Sequence, residues 1–176
     1  MKFLMMLAAA APMAFGAEIN VQQRLLGAWD LVSYELRTPE GQVKHPLGAD
    51  PVGRISYDAA GHMSAHLMRR GVPKFAAARR EDSTVDEIVA AWRGYIGYFG
   101  SYTVDEKAGA VTHHVEAAWY PNFVGTKQVR VYEFDGDRLT LHAESASGRT
   151  TIVWKRSLFG SENPDRFALK FFRESA

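Results

Sequence analysis

The chain contains no cysteine. Disulfides, thiolate-bound zinc and iron–sulfur centres are therefore excluded, and stability has to come from packing even in oxidising surroundings. Charge of one sign is also lacking, since 21 basic side chains stand against 20 acidic ones. The doublets Arg69-Arg70 and Arg79-Arg80 are offset by Glu81, Asp82 and Asp86. No basic face is set aside for a phosphate backbone, and nucleic acid is not expected as a partner. Motifs that announce particular chemistries are missing too. There is no phosphate-cradling glycine loop, no G-x-S-x-G elbow, no H-E-x-x-H helix and no dinucleotide fingerprint, so nucleotide-dependent and hydrolytic readings lose their support and no cofactor is expected.

Long apolar runs are scarce. The clearest, Phe3 to Phe15 with Pro12 inside it, is shorter than the roughly 20 residues a membrane-spanning helix needs. It follows Lys2 and ends in Ala14-Phe15-Gly16-Ala17, the layout of a signal peptide cleaved after Gly16 or Ala17. The expectation is a leader over residues 1–17 and one domain over 18–176, located in the periplasm or secreted, with no transmembrane segment after cleavage. Loss of Lys2 would leave basic and acidic side chains equal in number.

What is present suits a β protein with a substantial core: 47% hydrophobic residues, and four Trp, ten Phe and seven Tyr, rings that pack well on pleated surfaces. Val21–Leu26 reads as a helical turn and Trp29–Arg37 as a strand, followed by a Pro- and Gly-bearing loop to Pro51. Gly53–Tyr57 and His62–Met68 flank the turn Asp58-Ala59-Ala60-Gly61 as a hairpin. Thr84 with Glu87 three residues later forms a capping box, and Ile88, Trp92, Tyr95, Ile96 and Phe99 recur at helical spacing, which predicts a helix running to about Phe99. The period then becomes two. Ser101–Asp105, Ala110–Trp119, Thr126–Asp135, Arg138–Glu144 and Arg149–Lys155 read as strands joined mostly by short glycine-bearing connections. Asn163, Pro164, Phe167 and Phe171 predict a short C-terminal helix. Eight strands linked by hairpins remove their edges by closing on themselves, which predicts a mainly β, eight-stranded up-and-down antiparallel barrel with one inserted helix.

Gly27-Ala28-Trp29 resembles the G-x-W signature of lipocalins. Further segments, among them Pro46-Leu47-Gly48, Asp50-Pro51-Val52-Gly53, Gly61-His62-Met63-Ser64-Ala65, Tyr98-Phe99-Gly100-Ser101-Tyr102, Thr112-His113-His114-Val115-Glu116 and Pro121-Asn122-Phe123-Val124-Gly125-Thr126, are similar to the bacterial and fungal lipocalin-like domain family over roughly residues 25–156. The resemblance implies a lipocalin-like (calycin-type) barrel and an Arg, here Arg156, stacked over the Trp29 ring. It implies no particular activity, because one barrel hosts unrelated chemistries.

Candidate chemistry centres on His113-His114-Val115-Glu116. Alternation along a strand puts His114 and Glu116 on one side and His113 with Val115 on the other. With His114 and Glu116 facing the cavity, they would form a general acid/base pair. Ser64, His66, Tyr98, Tyr102, Trp119, Asn122 and Arg130, together with His114, are the candidate ligand contacts, Arg130 as the partner of a carboxylate or enolate. Ser64, Ser101, Ala117 and Thr140 are taken as small inward positions that leave space. No metal is expected, since His62 and His66 stand roughly 13 Å apart along a strand and no two imidazoles share a face at short spacing. Three readings stay open: an exported barrel binding a small hydrophobic or amphipathic metabolite, a cofactor-free isomerase or cyclase using His114 and Glu116, and a structural module with a filled interior.

Overall fold

Strict alternation of buried and exposed side chains builds most of this molecule. A computed structural model describes residues 20–157; the expected leader and C-terminal helix lie outside the described residues. The elements are α1 (Val21–Leu25), β1 (Gly27–Arg37), β2 (Val43–Lys44), β3 (Val52–Tyr57), β4 (His62–Met68), α2 (Val85–Arg93), β5 (Tyr95–Asp105), β6 (Ala110–Ala118), β7 (Lys127–Asp135), β8 (Arg138–Ser145) and β9 (Gly148–Arg156). Every neighbouring pair is antiparallel, and β9 returns to β1 through Trp29↔Arg156 to Arg37↔Arg149. Strands β1 and β3 to β9 thus close an eight-stranded barrel. The two-residue β2, in a segment expected to be loop, pairs only with the end of β1.

One end of the barrel is sealed. α1 is held by a capping box between Asn20 and Gln23, and its Leu25 packs beneath the fully buried Trp29, whose indole N–H donates to the Leu25 carbonyl at 2.8 Å. Arg156 lies 3.8 Å above the Trp29 ring and donates to the backbone carbonyls of Leu26 and Arg24. The stack implied by the resemblance is therefore present, and it ties α1 to the last strand. Leu139 and Trp154 complete this floor.

The inserted helix differs from expectation in length. Its capping box forms as read, with Thr84 and Glu87 each bonding the other's backbone. It ends at Arg93, however, where the Gly94 N–H closes onto Ala90 and Ala91. Tyr95 to Phe99 belong to β5 and pair with β4 from Met68↔Tyr95 to His62↔Ser101. Ile96 continues the helical spacing of Ile88 and Trp92 and also alternates with Tyr98 at a period of two, and the ladder to β4 decides between them. Trp92 consequently sits at the barrel mouth, half exposed and 5.2 Å from Trp119, rather than in the core.

A second correction concerns the interior. Ser64, Ser101, Ala117 and Thr140 all face outward. Ser64 pairs with the exposed Phe99, Ser101 lies between the buried Gly100 and Tyr102, and Thr140 lies between the buried Leu139 and Leu141. Ala117 pairs with Phe99 just beyond a β-bulge at Glu116. Space inside the barrel therefore does not come from those small residues.

Candidate functional site

The open half of the barrel encloses a cavity of about 380 Å³. Its wall is mostly apolar: Ile55, Leu67, Ile96, Leu141 and Ile152 from five strands, with Trp119, Phe123 and Trp154 contributing rings. Trp119 is fixed by its indole N–H, which donates to the Trp92 carbonyl at 3.1 Å, and its ring meets Phe123 edge-on at 6.0 Å. A polar side runs across this wall, formed by Tyr34, Tyr98, Gln128, Arg130 and Thr150. The rim is Glu144, Ser145 and Ser147.

Beneath that polar side lies His113, fully buried between two phenols. Its Nε2 is 2.8 Å from the Tyr57 hydroxyl and its Nδ1 is 2.9 Å from the Tyr98 hydroxyl. Burial, reinforced by the positive charge of Arg130, pushes its pKa down to about 3. The ring is neutral near pH 7, with one N–H and one lone pair, so one phenol donates to it and the other accepts from it. Burial also raises the pKa of Tyr57, Tyr98 and Tyr34, with Arg130 acting in the opposite direction on all three. Arg130 lies against the Tyr98 hydroxyl and bonds the Val129 carbonyl at 2.9 Å and the Gln128 side chain at 3.2 Å. A chain of neutral hydrogen-bonding groups thus leads from the core to a guanidinium at the cavity wall.

Among the expected contacts, Tyr98, Trp119 and Arg130 are brought together around this cavity. The others are not. Ser64 and His66 are on the outer face of β4, where the His66 ring bonds the Tyr95 hydroxyl at 2.6 Å. Tyr102 points inward but in the sealed half, donating to the Asp58 carbonyl. Asn122 is exposed on a short 3-10 turn at Pro121–Phe123 and donates to the Tyr120 hydroxyl.

The His-Glu strand is reversed relative to expectation. His113 faces in, whereas His114 faces out against Thr103 at 3.0 Å and Glu116 is exposed. The cause is legible in the register. Val111, His113 and Val115 share one face and are all buried, and a period of two moves His114 to the other side with its neighbours. The acid/base pair proposed for His114 and Glu116 is therefore not in the cavity, and His113 has both nitrogens occupied. Sequence reasoning also missed Tyr34. A bulge between Leu31 and Ser33 shifts β1 by one residue, so Trp29 and Leu31 face inward and then Tyr34 and Leu36 do. Among the described residues, no group of three His, Asp or Glu side chains converges as a metal site, and no helix is long and apolar enough to cross a membrane.

A family model described as lipocalin-like domain matches residues 26–157. A curated protein of Aspergillus oryzae, the 4'-hydroxy-3'-methoxypropiophenone carrier protein ppsC, is 36% identical over 106 residues, covering 53% of this chain and 96% of the relative. No solved structure matches the chain.

Proposed function

This chain belongs to the lipocalin-like domain family, and from its enclosed cavity we propose that it is a carrier for a small aromatic metabolite, a hydroxyaryl ketone or a molecule of similar size and polarity. The observation that carries this reading is the interior itself, about 380 Å³ with an apolar aromatic wall and a single polar side. Small-molecule sites occupy roughly 300–1,000 Å³, so this one suits a guest of one or two rings. The name of the Aspergillus relative supports the same class. A ligand of about a dozen heavy atoms gaining roughly 0.6 kcal/mol per atom would bind with micromolar affinity.

Titration of 4'-hydroxy-3'-methoxypropiophenone into the protein, followed by tryptophan fluorescence, tests the proposal. Saturable quenching with a micromolar Kd is the expected result, because Trp119 and Trp154 line the cavity. Absence of uptake for this ligand and for other hydroxyaryl ketones would sink it. The apolar run at residues 3–15 supports a further reading in which the carrier works in the periplasm or outside the cell. Intact mass of protein from fractionated cells checks it, and a cytoplasmic product that retains Lys2 would contradict it.

A further inference from the structure

The barrel interior holds a formal charge that no inward carboxylate neutralises among the described residues. Strand β7 alternates so that Gln128, Arg130, Tyr132 and Phe134 turn inward, while Val129 and Val131 are 53% and 46% exposed on the outer face. A strand that sends its valines to water and its arginine inward opposes the ordinary direction of burial. Such departures concentrate where function requires them.

The groups facing Arg130 are Tyr34 on β1, Tyr57 on β3, Tyr98 on β5 and His113 on β6. All are neutral near pH 7, the phenols because their ordinary pKa near 10 is raised further by burial and the imidazole because burial lowers its own. On β8, Glu144 is the one carboxylate in the cavity lining among the described residues; it is exposed at the rim and pairs with Arg149 of β9 at 3.7 Å. Arginine stays charged at any ordinary pH. Its bonds to Val129, Gln128 and the Tyr98 hydroxyl leave at least two of the five guanidinium N–H groups available. These spare N–H donors and a positive charge that no inward carboxylate faces among the described residues call for an acceptor carrying negative charge.

We propose that the polar end of the guest is an ionised oxygen on an aromatic ring, held by Arg130 beside Tyr98, so that the barrel takes up the anion of an acidic phenol in preference to a neutral analogue of the same shape. This deepens the carrier reading and rests on it. The ring lies among Trp119, Phe123 and Tyr98, and the oxygen meets the guanidinium where the wall becomes polar. Arg130 then acts as the specificity-determining residue, and the ligand's own ionisation sets its affinity.

Two compounds of nearly equal shape make the test. In 4-hydroxyacetophenone the para-acyl group acidifies the phenol, and its anion absorbs at longer wavelength than the neutral form; 4-methoxyacetophenone cannot ionise. At a pH where the free phenol is ionised it is expected to bind about tenfold more tightly than the ether, and its pKa when bound, read from the phenolate band, is expected to fall by about one unit, the same factor expressed as a shift. The facing phenols and His113 do not change charge near that pH, so the band reports the ligand. Arg130→Gln should abolish both effects and Arg130→Lys should retain part of each, which separates loss of charge from loss of fold. Equal affinity for phenol and ether, or an unshifted bound pKa, would overturn charge selection while leaving the carrier reading standing. Uptake of neither compound would remove the carrier reading for this class, and this inference with it.

Discussion

Acid should weaken this fold through His113, and the size of the effect follows from its burial. The unfolded imidazole titrates at 6.5, whereas the folded one is pushed down to about 3. Between those values the unfolded chain takes up a proton that the folded chain refuses. Stability is therefore intact above pH 6.5 and falls progressively as the pH drops towards 3. Each unit of difference corresponds to about 1.4 kcal/mol, so this single residue accounts for about 2 kcal/mol lost at pH 5 and roughly 5 kcal/mol at the acid limit. With a urea slope of about 2 kcal/mol per molar, the unfolding midpoint should fall by about 1 M between pH 7.5 and pH 5. The carboxylates that bond backbone amides, Asp58 and Glu87, have lowered pKa values and titrate below that window. His113→Gln keeps a donor and an acceptor between Tyr57 and Tyr98 but cannot titrate. Its midpoint should be lower at pH 7.5 and nearly flat down to pH 5. Parallel slopes for the two proteins would refute the claim that a buried neutral imidazole sits between the two phenols.

Arg156→Ala removes the stack on Trp29 and two hydrogen bonds to carbonyls at the end of α1; it should cost about 2–3 kcal/mol in chemical denaturation, with Arg156→Lys recovering less than half. At Gly100 an added Cβ would fall 1.9 Å from the His114 carbonyl oxygen, so Gly100→Ala should lower stability by roughly 3 kcal/mol or more, seen as a large drop in Tm. His114→Ala and Glu116→Ala are expected to leave ligand uptake within about twofold of wild type in fluorescence titration, because both side chains face away from the cavity. Trp119→Phe should remove part of the ligand-induced quenching and leave that of Trp154, whereas Trp92→Phe should leave it unchanged, since Trp119 and Trp154 line the cavity and Trp92 does not.

The barrel was readable from the sequence because hairpin turns and two-residue alternation are local signals. Asp58-Ala59-Ala60-Gly61 and Asp135-Gly136-Asp137 fix their strands with little ambiguity, and the Trp29–Arg156 closure followed from a family resemblance spanning most of the chain. Which face of each strand turns inward was much less legible. At β6 the apolar neighbours Val111 and Val115 placed His113 inside, but the adjacent His114-x-Glu116 pair drew attention as a catalytic pattern. At β1 the bulge near Val32 breaks the parity that would have led from Trp29 to Tyr34. At β7 the exposed valines point the wrong way for any reading by hydrophobicity, and only Tyr132 and Phe134 further along the strand set the face correctly. The helical spacing extends past Arg93 because Ile96 fits both the stripe of Ile88 and Trp92 and the two-residue alternation with Tyr98, and pairing with β4 is a long-range fact that no local pattern carries.

Calorimetric titration of wild type beside Ala143→Phe shows whether the guest occupies the barrel interior. Ala143 lines the cavity on β8 near its mouth, half buried, so a ring there fills part of the space without entering the sealed floor. For 4-hydroxyacetophenone an interior site gives one site per wild-type chain with a Kd on the order of micromolar and a loss of at least about tenfold in the folded variant. Equal affinity in the two proteins, or a stoichiometry well above one in the wild type, would place the ligand on the surface instead.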